Sequence, residues 1–499
     1  MADVGGYLAI DLGAESGRAV RGSFDGERVA LRTCHRFANA PVSLPDGLHW
    51  NVVGIFQSVA EALARAGGGL TSVGVDSWAV DFGLLDAQGG LLGTPFHYRD
   101  ERTEGMVERA VARVPAREIY ELTGIQFMPI NTLCQLLAME GSPLLDAAET
   151  LLMIPDLIAF WLTGERASEV TVASTTQLYD PRAGHWALGL AERLGVPAGI
   201  LPEVRQPGTT LGPLRGTVAA GAGLESPPAV VTVAAHDTAS AVAAVPAKGP
   251  DFAYVSSGTW SLVGVELAAP LIDTAAMEAN FSNELGLEGT TRFLKNVMGL
   301  WLVQECRREW ARGGHAPEYP ELVRMAEAQP PGGPLIDPDD PALLRRGDMP
   351  ARIGELCTRS GNAAPTGFGG VVRCVLESLA CKYRLVIEQA EQLTGRRAET
   401  IHVVGGGARN ELLCRLTATI SGRSVAAGPA EATALGNVMV QAMADGQVAS
   451  LAEIRAVVRR STQVRIYEPQ TDGRGEETFA RFRELLALEA REQGVGAAG

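Results

Sequence analysis

The chain of 499 residues is short of cysteine, short of positive charge and without any long apolar run. No stretch approaches the roughly 18 uninterrupted apolar residues that a bilayer-spanning helix requires. The start, MADVGGYLAIDLG, carries Asp3, and its apolar stretch Tyr7 to Ile10 is broken at once by Asp11, which reads as neither a secretory leader nor an anchor. The seven cysteines, at 34, 134, 306, 357, 374, 381 and 414, never form CxxC, which excludes the usual zinc patterns and a secreted disulfide framework. A cytoplasmic location is expected. Reduced, buried thiols are the default, with a pairing of Cys357 and Cys374 as the alternative. Lys and Arg number 43 against 58 Asp and Glu, a formal net charge of −15, a poor match for counterion release on nucleic acid or for an anionic membrane. GxxxxGK[ST] is absent, so a P-loop is excluded, and the glycine triplet of VVGGGARN is not a GxGxxG fingerprint.

What is there is ordinary globular material: 46% hydrophobic and 20% charged residues, in a length that suits about two to four domains. Tyr7 to Leu12, Ala19 to Phe24 and Val29 to Phe37 read as an antiparallel meander of strands. Val52 to Ala66 and Ile154 to Leu162, with Pro155 in the first turn, read as helices, and Ser72 to Val75 and Val80 to Leu85 as strands. Strand patterns restart at Phe252 to Val255 and Ser261 to Val265, just after the Pro/Gly-containing junction VPAKGPD. The apolar spacing from Val372 to Leu393 predicts a long helix ending near Gly395, followed by a buried strand, Ile401 to Val404. Gln329 to Pro350, rich in Pro, Gly and Asp, reads as a surface excursion, and Glu476 to Gln493 as a docked helix. Two similar small-residue turns, at Asp11 and Ser256, lie about half the chain apart, which points to duplicated halves with a cleft between them.

Five groups of residues suit chemistry. DLGAESGR (Asp11 to Arg18) is either a plain hairpin turn or a phosphate nest, with backbone N–H groups, Ser16 and Arg18 as donors and Asp11 holding Mg²⁺ through water. SSGTWS (Ser256 to Ser261) offers the same choice at the start of the second half. VVGGGARN (Val403 to Asn410) allows either close ligand approach or tight strand-to-helix packing. AAHDTAS places His236 and Asp237 in small, apolar company, so Asp237 is either a helix-capping core residue or a general base that takes a proton from an attacking hydroxyl. Asp76, Trp78, Asp81, Tyr98, Arg99, Gln126, Asn296 and Gln304 are the planar amides, carboxylates and aromatics that hold sugars, though any one of them also suits a structural role. A helix covering Asn296 and Gln304 puts them on one face.

DLGAESGR, VGVDSWAVDFGLLD, YRDERT, the Asp237 motif, SSGTWSLVG and VVGGGARN, in this order and spacing, resemble the FGGY carbohydrate kinases. GIQFMPINTLCQL, MIPDLIAFWLTG, ASTTQLYD, VAAHDTASAV, LKNVMGLWLVQE and AGPAEATALGN are similar to those members of the family that act on L-rhamnulose. The match runs from about Tyr7 to about Arg465. The resemblance implies an α/β chain of the actin/hexokinase-like fold, two duplicated ribonuclease H-like domains with a catalytic cleft between them. The implied domains are 1–246, for sugar and phosphate binding, and 250–460, for nucleotide binding, with a helical tail over 461–499.

It further implies phosphorylation of the 1-hydroxyl of L-rhamnulose by ATP with Mg²⁺, in L-rhamnose catabolism, by a monomer or small homo-oligomer without nucleic-acid or membrane partners. Ala14, Glu15, Ser16, Gly17, Arg18, Thr259, Gln304 and Gly406 would contact ATP, and Asp11 the metal. Asp237 would accept the proton, and Ala79, His236, Asp237, Thr238 and Asn296 would touch the sugar. Two positions depart from the family pattern: Ala79 stands where Gly is common, and Glu15 where Ser is common, so the Glu15 carboxylate is expected to face solvent or help with Mg²⁺. A Cys pair matching 357 and 374 occurs in relatives. Two other readings stay open, a kinase for another ketose such as L-fuculose or L-xylulose, and a non-catalytic actin-like, nucleotide-gated sugar sensor.

Overall fold

A computed structural model describes residues 6–315 and 317–492. The apolar start of the chain becomes a strand buried at every position, β1 (Gly6–Leu12). It pairs antiparallel with β2 (Ser16–Phe24), which continues into β3 (Val29–Ala38). With β4 (Leu70–Ser77), β5 (Thr210–Pro213) and β6 (Ala229–Val231) these form a six-stranded sheet in the order β5-β6-β4-β1-β2-β3. β4 runs parallel to β1, β6 parallel to β4, and β5 antiparallel to β6. Strands with parallel neighbours are covered on both faces, which is why β1 reads as a continuous apolar run, whereas β3 carries Arg32, His35 and Arg36 on the sheet's edge.

The second half repeats this wiring. β7 (Phe252–Ser257) and β8 (Trp260–Leu267) form a hairpin, and β9 (Ser282–Leu285) pairs antiparallel with β10 (Thr291–Met298). β11 (Thr400–Val404) runs parallel to β7, β12 (Ser424–Ala427) parallel to β11, and β13 (Arg465–Tyr467) antiparallel to β12. The order β10-β8-β7-β11-β12-β13 matches β3-β2-β1-β4-β6-β5 strand for strand. The two small-residue turns occupy equivalent hairpin tips.

Packing divides the chain into two compact units. One contains the chain up to Pro250 with Glu266–Leu294 and Glu431–Thr462; the other contains Asp251–Val265, Lys295–Ala430 and the chain from Gln463 on. In the first unit, the helix Val52–Ala66 starts where Asn51 Oδ1 accepts the Gly54 N–H at 3.0 Å, and it buries Ile55, Val59, Ala62 and Leu63 at helical spacing. The helix Ala432–Ala444 lies on β1 and β4 and touches the helix Asp237–Ala243. In the second unit, the helix Gly367–Thr394 ends at Gly395, whose φ of 66° suits glycine and whose N–H returns to Glu391 O. The tail helix spans Arg474–Glu492; Gln493, expected within it, lies outside the described residues.

Among the differences from the sequence reading, two have a clear physical cause. β2 begins at Ser16 rather than Ala19, because the turn closes early when the Gly13 N–H bonds to Ser16 O. Gln329 to Pro350 is irregular but not a surface excursion. Leu335, Ile336, Leu343 and Met349 are buried, and Asp337 and Asp339 take the Lys382 ammonium at 2.8 and 3.0 Å. Pro and Gly signal the loss of regular backbone, not exposure. Among the described residues no helix is long and apolar enough to cross a membrane.

The contact between the two helices in the first unit depends on Gly436, where an added Cβ would lie 1.8 Å from Ser240 O. Alanine gains about 1 kcal/mol of helix propensity over glycine, but overpacking against backbone costs about 1–3 kcal/mol and exceeds that at so short an approach. Gly436→Ala is expected to lower stability by about 2 kcal/mol in urea denaturation; a more stable variant contradicts the packing.

Candidate active site

In the first unit, strand register lines up three charged groups. Asp11 on β1 lies directly opposite Arg18 on β2 and, on its other side, Asp76 on β4. Arg18 Nε donates to Asp11 Oδ2 at 2.7 Å, and its Nη1 reaches Glu431, at the head of the helix Ala432–Ala444. Burial works against the Arg18 charge, yet Asp11, Glu431 and Asp76 outweigh it and raise its pKa. Asp76 is fully buried; its Oδ2 accepts from Asn437 Nδ2 at 2.5 Å, and its Oδ1 has no hydrogen-bond partner. Burial and the neighbouring Asp11 push the Asp76 carboxyl well above the usual range.

The turn that joins Asp11 to Arg18 is held from β3. Asn39 Nδ2 donates to Gly13 O at 2.8 Å, and the Asn39 N–H to Glu15 O at 3.1 Å. Gly17 is required because an added Cβ would sit 2.2 Å from the Phe37 ring. Ala14 and Glu15 are half-buried and Ser16 is exposed, so Glu15 does not simply face solvent.

Asp237 opens the helix Asp237–Ala243 and keeps its side chain 29% exposed, unlike Asp76. Burial raises its pKa, His236 opposes that shift, and Asp11 adds to it. Thr238 Oγ1 donates to Asp237 Oδ1 at 3.1 Å, and His236 Nε2 lies 3.4 Å from the same oxygen. The segment is fixed from below: the Ser77 N–H bonds to Ala235 O at 2.9 Å, and the Ala235 N–H to Glu169 Oε2 at 3.0 Å. Glu169, buried, has its pKa pushed up to about 7 by that burial. Asp11, Arg18, Asp76 and Asp237 thus belong to one electrostatic group.

The sugar-type residues divide. Asp81 is fully buried and its carboxylate is saturated, by Trp50 Nε1 at 2.5 Å, Trp78 Nε1 at 2.9 Å and Gln135 Nε2 at 2.7 Å. Burial pushes it up to about 6. Asp81 is therefore a structural clasp that joins the two indoles, whose rings lie 4.1 Å apart. Ala79 is half-buried beside Val80, which holds a φ of 68°. Tyr98, Arg99 and Gln126 are buried, and the Gln126 N–H donates to Ser282 Oγ at 3.1 Å.

In the second unit, the structure brings SSGTW and the glycine triplet together. An added Cβ on Gly407 would lie 2.0 Å from Ser257 Oγ, so only glycine lets β11 approach this turn. Gly406 is exposed, with open space where a side chain would be. Gly258 O and Thr259 O accept the N–H groups of Leu300 and Trp301 at 3.0 and 3.1 Å, so the turn seats the helix Trp301–Arg312. Gln304, on that helix, has a buried Oε1 without a hydrogen-bond partner. No one helix covers both Asn296 and Gln304: Asn296 lies on β10, which ends before Gly299, where a Cβ would come within 2.5 Å of Trp260. Cys357 Sγ and Cys374 Sγ lie 3.9 Å apart in a thiol–thiol hydrogen bond without a disulfide, and all seven cysteines are free thiols. Among the described residues no group of three or more His, Cys, Asp or Glu side chains is disposed to hold a metal ion.

Residues 6–244 match the N-terminal domain of the FGGY family of carbohydrate kinases, and residues 253–444 match its C-terminal domain. A rhamnulokinase from Bacteroides thetaiotaomicron is 40% identical over 485 residues, covering 96% of this chain and 99% of that protein. One from Enterococcus faecalis is 38% identical over 469 residues, covering 93% and 94%. Among solved structures, gluconate kinase from Lactobacillus acidophilus superposes with a TM-score of 0.77 at 18% identity, covering 99% of both chains. Plasmodium falciparum glycerol kinase with ADP superposes with a TM-score of 0.75 at 16% identity, covering 97% and 98%.

Arg18 offsets two carboxylates that face each other across β1 and β4, and removing one partner of a buried pair costs about 3–5 kcal/mol. Arg18→Met is expected to destabilise the chain, and the deficit should depend on pH. Asp76 already has a raised pKa, so its penalty is full at alkaline pH, where it is ionised in the unfolded chain, and fades as pH falls and the folded carboxyl takes up its proton. Urea denaturation of both proteins at pH 8 and pH 5 should therefore give a smaller difference at pH 5; an equal or larger one contradicts the assignment.

Proposed function

The chain belongs to the FGGY family of carbohydrate kinases, and from that membership we propose that it transfers the γ-phosphoryl group of ATP to the 1-hydroxyl of L-rhamnulose. Its fold is the two-domain actin/hexokinase-like fold of sugar kinases. Residues 1–246 are assigned to sugar and phosphate binding and residues 250–460 to nucleotide binding. Likeness over nearly the full length to rhamnulokinases favours L-rhamnulose over another ketose or a non-catalytic sensor.

The observation that carries the catalytic reading is Asp237. Among the clustered carboxylates it keeps an exposed portion at the head of a helix, and its raised pKa makes it a better proton acceptor than an ordinary aspartate. In this assignment it takes the proton from the attacking hydroxyl, and His236, Thr238, Ala79 and Asn296 orient the sugar. Ala14 to Arg18 and Thr259 donate to phosphate oxygens, with Gln304 and Gly406 against the nucleotide. The orphaned Oδ1 of Asp76 beside Asp11 is carboxylate chemistry that suits a hard divalent cation. Asp11 would hold Mg²⁺ through water, in keeping with an ion that retains most of its hydration. When bound, Mg²⁺ neutralises charge on the phosphoryl oxygens. The unpaired cysteines suit a reducing, cytoplasmic setting.

ADP release measured over a panel of ketoses is expected to be fastest with L-rhamnulose; a preference for L-fuculose or L-xylulose overturns the substrate assignment, and no turnover with any sugar overturns the kinase. Asp237→Asn is expected to lower kcat by at least about a hundredfold while ATP still binds. Near-normal turnover removes Asp237 from the role. Because the active form is the carboxylate and its pKa is raised, the acid limb of kcat/KM should lie above the ordinary aspartate value near 3.9, activity being lost as pH falls through it.

A further inference from the structure

Beneath His236 lies a fully buried arginine that the sequence does not advertise. Arg292 on β10 is directly opposite Glu284 on β9, and their side chains pair at 3.0 Å, Nη1 to Oε2. Arg292 is 0% exposed. Its Nε and Nη2 donate to Leu285 O at 3.2 and 3.1 Å, and its Nη1 and Nη2 both lie 3.2 Å from His236 Nδ1. His236 Nδ1 is also 3.3 Å from Glu284 Oε2. On the other side of the ring, Nε2 faces Asp237 Oδ1 at 3.4 Å, and Glu169 is tied to the preceding residue at Ala235.

We propose that Arg292 is a positioning residue that selects the ring tautomer of His236 and so orients the Asp237 carboxylate. A guanidinium has only donors, so a nitrogen with two of its N–H groups aimed at it must offer a lone pair. The His236 proton then sits on Nε2, where it points at Asp237 Oδ1 and leaves the other carboxylate oxygen for the incoming hydroxyl. The opposite tautomer would turn an Nε2 lone pair toward the carboxylate and repel it. Glu284 plays two parts. It pairs with the buried guanidinium, and it is the acceptor that would capture an Nδ1–H proton if Arg292 were absent. The choice between tautomers is thus decided by which of two groups, 3.2 and 3.3 Å away, commands Nδ1.

This inference rests on the kinase reading only in its effect on turnover; the tautomer is measurable by itself. In the full chain labelled with ¹⁵N-histidine, with His236→Gln identifying the signals, the His236 ring is expected to show an unprotonated Nδ1 and a protonated Nε2. Arg292→Met should move the proton to Nδ1 and lower kcat about ten- to a hundredfold, with KM for ATP unchanged. Adding Glu284→Gln to Arg292→Met removes the competing carboxylate and should restore Nε2–H and about tenfold of the lost kcat. Arg292→Lys, which keeps a cationic donor, should retain Nε2–H, and it carries the test if Arg292→Met does not fold. Nδ1–H in the unmodified chain or in Arg292→Lys, an unmoved proton in Arg292→Met, or a moved proton with unchanged kcat overturns the proposal. If Asp237→Asn is active while the tautomer responds as expected, the base assignment fails and the positioning of the ring stands.

Discussion

The register of β1 against its two neighbours governs the first unit. Side chains alternate between faces along a strand, so a slip of one residue would send Asp11 to the opposite face and separate it from both Arg18 and Asp76. The hairpin tip and the parallel neighbour prevent that slip. Asn39 and Gly17 fix the tip, and β1 is buried at every position. Two carboxylates are thereby held in adjacent strands, an arrangement that costs stability unless a cation offsets it. Arg18 is that cation, and Glu431 holds it in place from the helix that begins at Ala432.

The helix Ala432–Ala444 ties the apolar core of the first unit to its chemistry. Asn437 donates to Asp76 Oδ2 and Gly74 O, while Gln441 bonds to Asn437 Oδ1, Leu8 O and Ser72 Oγ. Every member of this chain is buried, and the two amides bond to each other and to β1 and β4, the strands that carry the carboxylates. Gly436, in the same helix, lets the neighbouring helix approach, and that helix begins with Asp237. The charged cluster and the candidate base are positioned by one element that arrives late in the chain. The buried pair of Glu284 and Arg292 does the same work beneath His236, from a hairpin between them in sequence.

Much of this was legible in the residues. The periodicity of Val52 to Ala66 and of Val372 to Leu393, and the glycine that stops the second, appear as helices because apolar spacing and capping are local properties. The likeness of the two turns became a duplicated sheet because a hairpin of small residues beside a buried strand is a local pattern too. For Asn296 and Gln304 the condition for a shared face, one helix over both, is not met, because a strand ends at the close approach of Gly299 to Trp260 between them. For Asp81 the structural alternative holds, because two indoles have already claimed its carboxylate, which composition alone does not show.

The sequence by itself determined the family and the two halves and singled out the candidate site residues, because motifs of small residues around an Asp need only neighbours within a few positions. Tertiary structure decided which charges face which. Glu431 meets Arg18 from across most of the chain, Arg292 and Glu284 reach His236 only through a hairpin folded beneath it, and Gln329 to Pro350 is drawn inward by Lys382. Such partners have no spacing rule, since electrostatic and packing neighbours are chosen by distance in space and not by distance along the chain.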